Sequence, residues 1–274
     1  MAQRQDHALA NHAESYERIV VPALYAPLAE DLLDRAAPRP GERVLDVACG
    51  TGIVARRAAL RVGPMGRVVG VDPNPGMLVV ARGAAAAEGA AIEWRQGRGE
   101  ALPVDGADFD LVCCQQGLQY FQDRAAGLRE MRRALAPGGR LVLSVGQGLE
   151  RQPFRDALDE IVARHVGVPL FTPSVFRFGD AAELRALLEG AEFRGVVIEP
   201  LSLTARFPDP AAFVRFQVLA LAAVMPAIAG MDAAAREATI AALLAEAQAA
   251  VRPYVEDGAL VLPTHTHVAQ ALAA

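Results

Sequence analysis

Short apolar runs alternate with amphipathic repeats over roughly the first half of the chain. Continuous apolar residues indicate buried strands in RVLDVAC, GRVVGVD, FDLVCCQ and RLVLSVG, with a shorter strand at AIEW. Apolar residues at helical spacing indicate helices in GIVARRAALRVG, PGMLVVARGAAAAEG and RAAGLREMRRALAPGG. Strands that alternate with helices in this way predict a parallel sheet with helices on both of its faces.

The second half of the chain has a different pattern. AAELRALLEGAEF predicts another helix, and RGVVIEPLSLTARF predicts a long alternating strand. Residues 209–255 are nearly all helix-forming, and ALVLPTHTHVAQAL then predicts a last strand. We therefore predict an α/β fold with a doubly wound, Rossmann-like and mainly parallel seven-stranded sheet that carries helical cap insertions.

One domain is expected over the whole chain. Near the N-terminus, apolar residues recur every four positions from Val20 to Leu32, in a helical stripe that Pro22 and Pro27 interrupt. The predicted parts are an N-terminal helical cap (1–40), a cofactor-binding core (41–146), a cap segment (147–180), a helix and strand (181–207), a helical cap insertion (208–256) and a C-terminal strand region (257–274).

Composition narrows the range of partners. A net charge of -5 and a pI of about 5.6 leave no excess of basic side chains for phosphate groups, so a nucleic acid is not expected. No window approaches the roughly 20 apolar residues that span a bilayer. Cys49, Cys113 and Cys114 are too few for a disulfide framework or a metal site and fit a reducing compartment. We expect a cytoplasmic protein without a metal, and the sequence leaves open whether it is a homodimer.

The stretch GTGIVA, which begins at Gly50, fits the G-x-G-x-x-G/A pattern of a nucleotide-binding turn. Asp72 follows 22 residues later at the end of the next predicted strand, where an acid can accept hydrogen bonds from ribose hydroxyls. Gly50 and Gly52 are expected to let a ligand approach the backbone, because a Cβ at either position would intrude on it.

Asp46, four residues before Gly50, separates two classes of ligand. In a dinucleotide enzyme a pyrophosphate occupies the turn at the positive end of a helix, and a nearby carboxylate repels it. S-adenosylmethionine instead places a ribose, a sulfonium and an ammonium group along the turn, beside which a carboxylate is favourable. The acid therefore favours the adenosyl sulfonium.

Four motifs follow one another along the chain: ERVLDVACGTG, VVGVDPNPGMLVVAR, EWRQGRGEALPVDGADFDLVCCQQGLQYFQD and LREMRRALAPGGRLVLSV. In these motifs and their spacing the chain resembles the class I S-adenosylmethionine-dependent methyltransferases. Within that family the chain is similar to the small-molecule branch, whose members resemble the ubiquinone and menaquinone C-methyltransferases. The resemblance is strong from Tyr16 to Gly146 and does not identify the substrate.

This resemblance implies S-adenosylmethionine as the cofactor, S-adenosylhomocysteine as its product, and a set of binding residues. Carried over by motif, these are Asp46, Ala48, Gly50 and Gly52 along the methionine and ribose, Asp72 at both ribose hydroxyls, Pro73 and Met77 on the adenine, the backbone carbonyl of Gln115 at the ammonium, and Tyr16 closing the pocket.

One position departs from the family's pattern. Where relatives usually have an acid that accepts from the adenine amino group, GRGEALP has Arg98, and a guanidinium can only donate. Two arrangements remain open. Backbone groups around Gly99 read the adenine while Arg98 points outward or stacks on the base, or the affinity for the cofactor is weakened. The first is favoured.

Methyl transfer is an in-line displacement at a carbon that a positive sulfur activates, so orientation and exclusion of water are its main requirements. Cap segments 1–40, 147–180 and 208–256 are expected to enclose the acceptor, and their apolar make-up predicts a small hydrophobic or aromatic molecule.

The identity of the catalytic residues stays open. Relatives often carry a histidine where this chain has Gln119, and glutamine cannot act as a base. The candidates for a base in the cap segments are His12, Glu14 and His165, and Phe176 and Phe178 are candidates for contact with the acceptor.

Two other functions compete with methyl transfer. A nicotinamide-dependent oxidoreductase is supported by GTGIVA and Asp72 but opposed by Asp46 and by the lack of a Tyr-x-x-x-Lys pair after the core. A cofactor-binding protein without methyl-transfer activity is compatible with Arg98 and Gln119. The sequence also does not separate methyl transfer from another reaction that the bound sulfonium could steer.

Overall fold

The computed structural model describes residues 12–168 and 180–273. Their centre is one eight-stranded sheet in the order β3-β2-β1-β4-β5-β8-β6, with the short β7 paired to β8. The strands are β1 (Arg43–Val47), β2 (Arg67–Asp72), β3 (Glu93–Gln96), β4 (Phe109–Gln115), β5 (Leu135–Gly146), β6 (Phe193–Phe207), β7 (Val255–Glu256) and β8 (Ala259–Ala273).

Strands β1 to β5 pair in parallel, and β8 runs antiparallel to both β5 and β6. The strand order reverses between β1 and β4, which is where doubly wound sheets open a crevice for a ligand. The predicted α/β, doubly wound class is confirmed. The two-residue β7 is an eighth strand beyond the seven predicted, and it is too short to show as a separate apolar run in the sequence.

Helices cover both faces of the sheet. They are α1 (12–20), α2 (Ala26–Ala36), α3 (Ile53–Val62), α4 (Pro75–Ala87), α5 (Arg124–Ala134), α6 (Pro153–Val166), α7 (Ala181–Gly190), α8 (Pro210–Val224), α9 (Pro226–Ala229) and α10 (Ala233–Val251). No helix within these ranges is long and apolar enough to cross a membrane.

The prolines near the N-terminus do not break the helical run that was predicted to be interrupted. A π-helical turn over Val21–Tyr25 contains Pro22 and joins α1 directly to α2, and Pro27 lies in the first turn of α2. A proline lacks the amide hydrogen that an inner helical position would donate, and the wider turn accommodates that loss.

Helix α5 is shorter than the sequence predicted. It ends at Ala134, and Leu135 is already extended and paired with Phe109 of β4. The segment that follows contains Pro137, which disfavours the helical conformation of the residue before it. The helix predicted from RAAGLREMRRALAPGG was therefore too long, because its last residues belong to β5.

The buried apolar side chains of the described residues form three hydrophobic cores. Helices α5 and α7 pack on one face of the sheet, and α2 and α3 pack on the other. The third core joins α1, α6, α8 and α10 to the paired ends of β6 and β8 that extend past β5, and it is rich in phenylalanine. This third core stands over the carboxyl ends of the parallel strands, so that its inner surface faces the crevice.

Candidate functional site

A cavity of about 550 Å³ opens at the carboxyl ends of β1 to β4 and is called the turn cavity. Nine of the eleven residues predicted to bind the cofactor line it: Tyr16, Ala48, Gly50, Asp72, Pro73, Met77, Arg98, Gly99 and Gln115. Its wall also includes His12 and seven residues that sequence reasoning missed: Tyr25, Asn74, Glu100, Gln116, Gly117, Tyr120 and Phe121. Asn74, Gln116 and Gly117 lie within two residues of the ends of β2 and β4, so the predicted strand ends could have indicated them. Glu100, Tyr120 and Phe121 lie four to six residues beyond β3 or β4, and Tyr25 has no such signal.

Asp72 organises the backbone around this cavity. Its Oδ2 accepts a hydrogen bond from the Gly50 amide at 2.9 Å, and its Oδ1 accepts one from the Asn74 amide at 2.9 Å. The side chain lies in the cavity wall but is only 7% exposed, and this burial raises the pKa of Asp72, which the two amides oppose. A carboxylate oxygen can accept more than one hydrogen bond, so both oxygens keep capacity for ribose hydroxyls.

Gly50 faces the cavity and Gly52 does not. Gly50 has φ 55°, and a Cβ built on it would lie 4.0 Å from the Tyr16 ring across open space. A Cβ on Gly52 would lie 2.2 Å from Cη2 of Trp94, whose indole also lies against Gly70 of β2. The expectation that Gly52 makes room for a ligand is therefore wrong. It makes room for Trp94, which pairing of β3 with β2 places under the turn.

Asp46 also lies outside the cavity, contrary to its predicted role along the methionine. It is 1% exposed at the end of β1, and its Oδ2 accepts a hydrogen bond from the Ala55 amide in the first turn of α3 at 3.0 Å. Burial raises the pKa of Asp46 from its ordinary value to about 8. Asp46 thus stabilises the first turn of α3 from inside the protein and does not line the cavity.

Replacing Asp46 with asparagine is expected to change how stability depends on pH. The folded-state pKa of about 8 lies above the unfolded value of about 4, so the stabilising contribution of the neutral acid is complete below pH 4 and is lost as pH rises to 8. Asparagine keeps an acceptor for Ala55 and carries no charge. At pH 8 the free energy of unfolding of Asp46→Asn should exceed that of the wild type by up to about 5 kcal/mol, since about four pKa units at about 1.4 kcal/mol each separate the folded and unfolded states.

Urea denaturation of both proteins at pH 5 and pH 8 measures this difference. Asp123→Asn is a matched control, because Asp123 accepts a backbone hydrogen bond from Ala126 at the exposed start of α5. Equal losses of stability in wild type and Asp46→Asn between the two pH values would contradict the prediction.

At the far end of the turn cavity, Arg98 points toward solvent. Its side chain is 57% exposed, and its Nε lies 3.6 Å from Oε2 of Glu100. Gly99 lies directly against the Phe121 ring, since a Cβ on Gly99 would be 2.0 Å from Cζ of Phe121. The outward arrangement of Arg98 that was favoured from the sequence matches this geometry, which leaves backbone groups near Gly99 beside the cavity.

A second cavity, of about 210 Å³, lies beneath the caps and is called the cap cavity. It shares His12, Tyr16, Tyr25 and Tyr120 with the turn cavity, and the rest of its wall comes from α1, α6, α8, β6 and β8. One side is aromatic and is formed by Phe154, Phe207, Phe213 and Phe216. The two cavities therefore meet at a wall of one histidine and three tyrosines.

Two of these tyrosines lie side by side in the wall. The ring centroids of Tyr16 and Tyr25 are 5.3 Å apart, and Arg155, in the first turn of α6, lines the cap cavity with them. Burial raises the pKa of Tyr16 well above its ordinary value and also raises the pKa of Tyr25, so both phenols stay protonated at neutral pH.

Known proteins share this chain's sequence and fold. Residues 44–139 match the family model of a methyltransferase domain. A demethylmenaquinone methyltransferase of Deinococcus radiodurans is 37% identical over 164 residues, which are 56% of this chain and 68% of that relative. The chain belongs to the S-adenosylmethionine-dependent methyltransferases.

Two further comparisons show how far the similarity to known methyltransferases extends. A ubiquinone/menaquinone biosynthesis C-methyltransferase of Hahella chejuensis is 42% identical over 113 residues, 40% of this chain, so this methyltransferase spans less than half of that relative's length (45%). The structure of phosphoethanolamine N-methyltransferase 2 of Haemonchus contortus, in complex with S-adenosylhomocysteine, has a TM-score of 0.55 and 19% identity, and it covers 90% of this chain and 52% of that one. At that identity it shows a shared fold.

In this methyltransferase, one of the three candidate bases lies at the junction of the cavities. His12 lines both and stacks on Phe216, with ring centroids 4.9 Å apart and planes 9° apart. Burial lowers the pKa of His12, which favours the neutral imidazole. Glu14 is exposed, and Nε2 of His165 lies 2.6 Å from Oε1 of Glu246, between α6 and α10.

Gln119 has a structural role in this methyltransferase. It is buried at 4% exposure, and its Oε1 accepts a hydrogen bond from the Gly146 amide at the end of β5, at 2.9 Å. Cys113 and Cys114 are buried in β4, and burial raises the pKa of both thiols, so they are unreactive. Phe176 and Phe178 lie outside the described residues.

Proposed function

We propose that this protein transfers the methyl group of S-adenosylmethionine to a small aromatic or hydrophobic acceptor. The observation that carries the proposal is the pair of adjoining cavities, of which one is built on the glycine turn and Asp72 and the other is lined by phenylalanine. The Deinococcus and Hahella relatives are named for methylation of demethylmenaquinone and for ubiquinone/menaquinone biosynthesis, and both names fit an aromatic acceptor.

In the turn cavity, the nine lining residues named from the sequence are proposed to hold the cofactor. Asp72 accepts from the ribose hydroxyls, Pro73 and Met77 pack on the adenine, and the Gln115 carbonyl accepts from the ammonium. Side-chain Nε2 of Gln115 donates to the Tyr25 carbonyl at 3.0 Å, which fixes this strand end against the π-helical turn. The methyl group would then face the wall that the two cavities share.

The bound cofactor supplies an activated methyl group, and the protein's residues orient the acceptor and exclude water. An oxygen, nitrogen or carbon acceptor that must lose a proton needs a base within hydrogen-bond reach. We propose His12 for this role, because it lines both cavities and partial burial lowers the pKa of its imidazole, which favours the neutral form at pH 7.

Calorimetric titration with S-adenosylmethionine, S-adenosylhomocysteine and NAD tests the proposal. Binding of the two adenosyl ligands without NAD supports it, and binding of NAD alone would contradict it. The comparisons give no support to the oxidoreductase. Screening of aromatic acceptors with labelled S-adenosylmethionine then separates methyl transfer from cofactor binding without turnover or from a non-methylating reaction, because only the first releases S-adenosylhomocysteine.

Asp72→Ala is expected to weaken binding of S-adenosylhomocysteine by about 10- to 150-fold. A hydrogen bond to an ionised group contributes about 1.5–3 kcal/mol, and each 1.4 kcal/mol is tenfold in affinity. Calorimetry measures the dissociation constants, and Asp123→Ala is the matched control, because Asp123 likewise accepts from a backbone amide but lies away from the cavity. An unchanged affinity in Asp72→Ala would refute the ribose contact.

A cytoplasmic location and a homodimer remain proposals. All three cysteines are buried free thiols, which fits a reducing compartment. Measuring the solution mass tests the assembly.

A further inference from the structure

Arg56 is a charged side chain inside the protein. It lies in α3 with only 2% of its surface exposed, among the largest fully buried side chains of the described residues. Its Nη1 donates a hydrogen bond to the Thr51 carbonyl at 2.5 Å, and its Nη2 donates one to Oε1 of Glu17 at 2.7 Å. Its Nε lies 3.1 Å from Oε1 of Glu88, directly after α4. One guanidinium therefore joins α1, the glycine turn at 50–52 and the end of α4.

Stability alone does not account for this buried arginine. Removing two opposite charges from water is costly, and apolar side chains of similar volume often stabilise a protein as well or better. Oε2 of Glu17 is buried and has no hydrogen-bond partner among the described residues, so the carboxylate is only partly compensated. A guanidinium presents its donors in a rigid planar fork, which fixes the arrangement of the groups that it binds. The contacts of Arg56 therefore favour a role in positioning.

The helix that Arg56 ties to the glycine turn carries side chains of both cavities. Tyr16, the neighbour of Glu17, lines the turn cavity and the cap cavity, as does His12 one helical turn earlier. The Tyr16 ring faces Gly50, since a Cβ on Gly50 would lie 4.0 Å from it. Arg56 itself is not among the described residues that line either cavity. It therefore acts on the site through the position of α1.

We propose that Arg56 is a positioning residue that couples the occupied glycine turn to α1. A ligand that fixes the turn also fixes the Thr51 carbonyl that Arg56 binds. Arg56 in turn holds Glu17, and with it the helix that carries Tyr16 and His12. Cofactor binding thus sets the wall that α1 contributes to the acceptor cavity. The inference rests on the proposed methyl transfer and adds a residue that touches neither ligand.

Amide hydrogen exchange, followed by mass spectrometry, tests this coupling on the full chain with and without saturating S-adenosylhomocysteine. In the wild type the ligand should slow exchange in α1 by about tenfold or more, the usual size of a coupling between two sites. Glu17→Leu removes the tie to α1 and leaves the contacts of Arg56 with Thr51 and Glu88. This variant should still bind the ligand, but its α1 should gain no protection. Glu17→Gln keeps an acceptor for the guanidinium and should restore most of the protection.

Glu30→Leu is the matched control. Oε2 of Glu30 lies 2.7 Å from Nη2 of Arg61 and joins α2 to α3, so this variant also removes a glutamate that an arginine of α3 binds. Neither residue belongs to the described lining of the two cavities. Protection of α1 by the ligand should be unchanged in Glu30→Leu.

The outcomes separate this inference from the proposed function. Protection of α1 that persists in Glu17→Leu would overturn the role of Arg56, because contact of Tyr16 with the ligand would then be sufficient. No protection in the wild type, no recovery in Glu17→Gln, or an equal loss in Glu30→Leu would overturn it as well. If calorimetry shows that Glu17→Leu does not bind the ligand, Arg56→Lys, which lacks the planar fork, takes its place with the same expected result. Failure of S-adenosylhomocysteine to bind the wild type would overturn the proposed function and this inference with it.

Discussion

Gly50→Val should abolish binding of S-adenosylmethionine and S-adenosylhomocysteine. The added isopropyl group would project into the turn cavity from the backbone that the ligand approaches, since a Cβ there meets only the Tyr16 ring, 4.0 Å away. Calorimetry with S-adenosylhomocysteine should detect no heat of binding at concentrations that saturate the wild type. The protein itself has room for the side chain, so the lost binding comes from occupied ligand space.

Backbone strain has to be separated from this steric effect. Gly50 has φ 55°, and a side chain in that region costs roughly 1–2 kcal/mol. Gly167→Val is the matched control, because Gly167 has a left-handed conformation (φ 78°) at the end of α6 with nothing within 4 Å of an added Cβ, and it does not line the cavity. Both variants should lose similar stability, and only Gly50→Val should lose the ligand. If Gly50→Val binds normally, the ligand does not lie on this turn.

His12→Asn should lower the rate of methyl transfer by on the order of 100-fold or more, the usual contribution of a positioned base. Affinity for S-adenosylhomocysteine should not change, because asparagine removes a proton acceptor and adds no bulk to the turn cavity. The rate is measured with labelled S-adenosylmethionine and an acceptor identified by screening. His165→Asn is the control, since His165 pairs with Glu246 away from both cavities.

The pH profile separates a base from a packing residue. Burial lowers the pKa of His12, so the wild-type rate should fall on the acid side as the imidazole takes up a proton, at a lower pH than for a fully exposed histidine. The charged residues that share a cavity lining with His12 are Asp72 and Glu100 in the turn cavity, and Arg18 and Arg215 in a separate cavity between α1 and α8. This acid limb should disappear in His12→Asn. A slow variant that kept the limb would mean that His12 acts only through its stacking on Phe216.

The local pattern of apolar and polar residues was enough to predict the strands whose ends carry the site. The runs at β1, β2 and β4 are continuous and apolar because helices cover both faces of the sheet, and such runs end where polar residues reach the crevice. Asp72, Pro73 and Met77 follow β2 directly, so predicting the strand also located them.

The site predictions were wrong or incomplete where a residue's role depends on contacts with residues that are distant in the sequence. Gly52 fits the nucleotide pattern, but Trp94 of β3 occupies the space beside it, and strand pairing alone brings the two together. Asp46 lies next to the turn in sequence, but its side chain points into the protein toward Ala55. Tyr25 and Arg155 were missed because the π-helical turn and α6 come together around the cap cavity only in the folded protein. No spacing in the chain encodes that arrangement.

The indole under the turn provides an optical probe of the site. Trp94 is the one tryptophan in the chain, and it lies against Gly52 and Gly70 beneath the backbone that is proposed to cradle the cofactor. Its fluorescence emission therefore reports on one location, without an added label. Excitation that selects indole gives a titration signal for cofactor binding in every variant that keeps Trp94, and stopped-flow mixing would resolve the rate at which the turn is occupied.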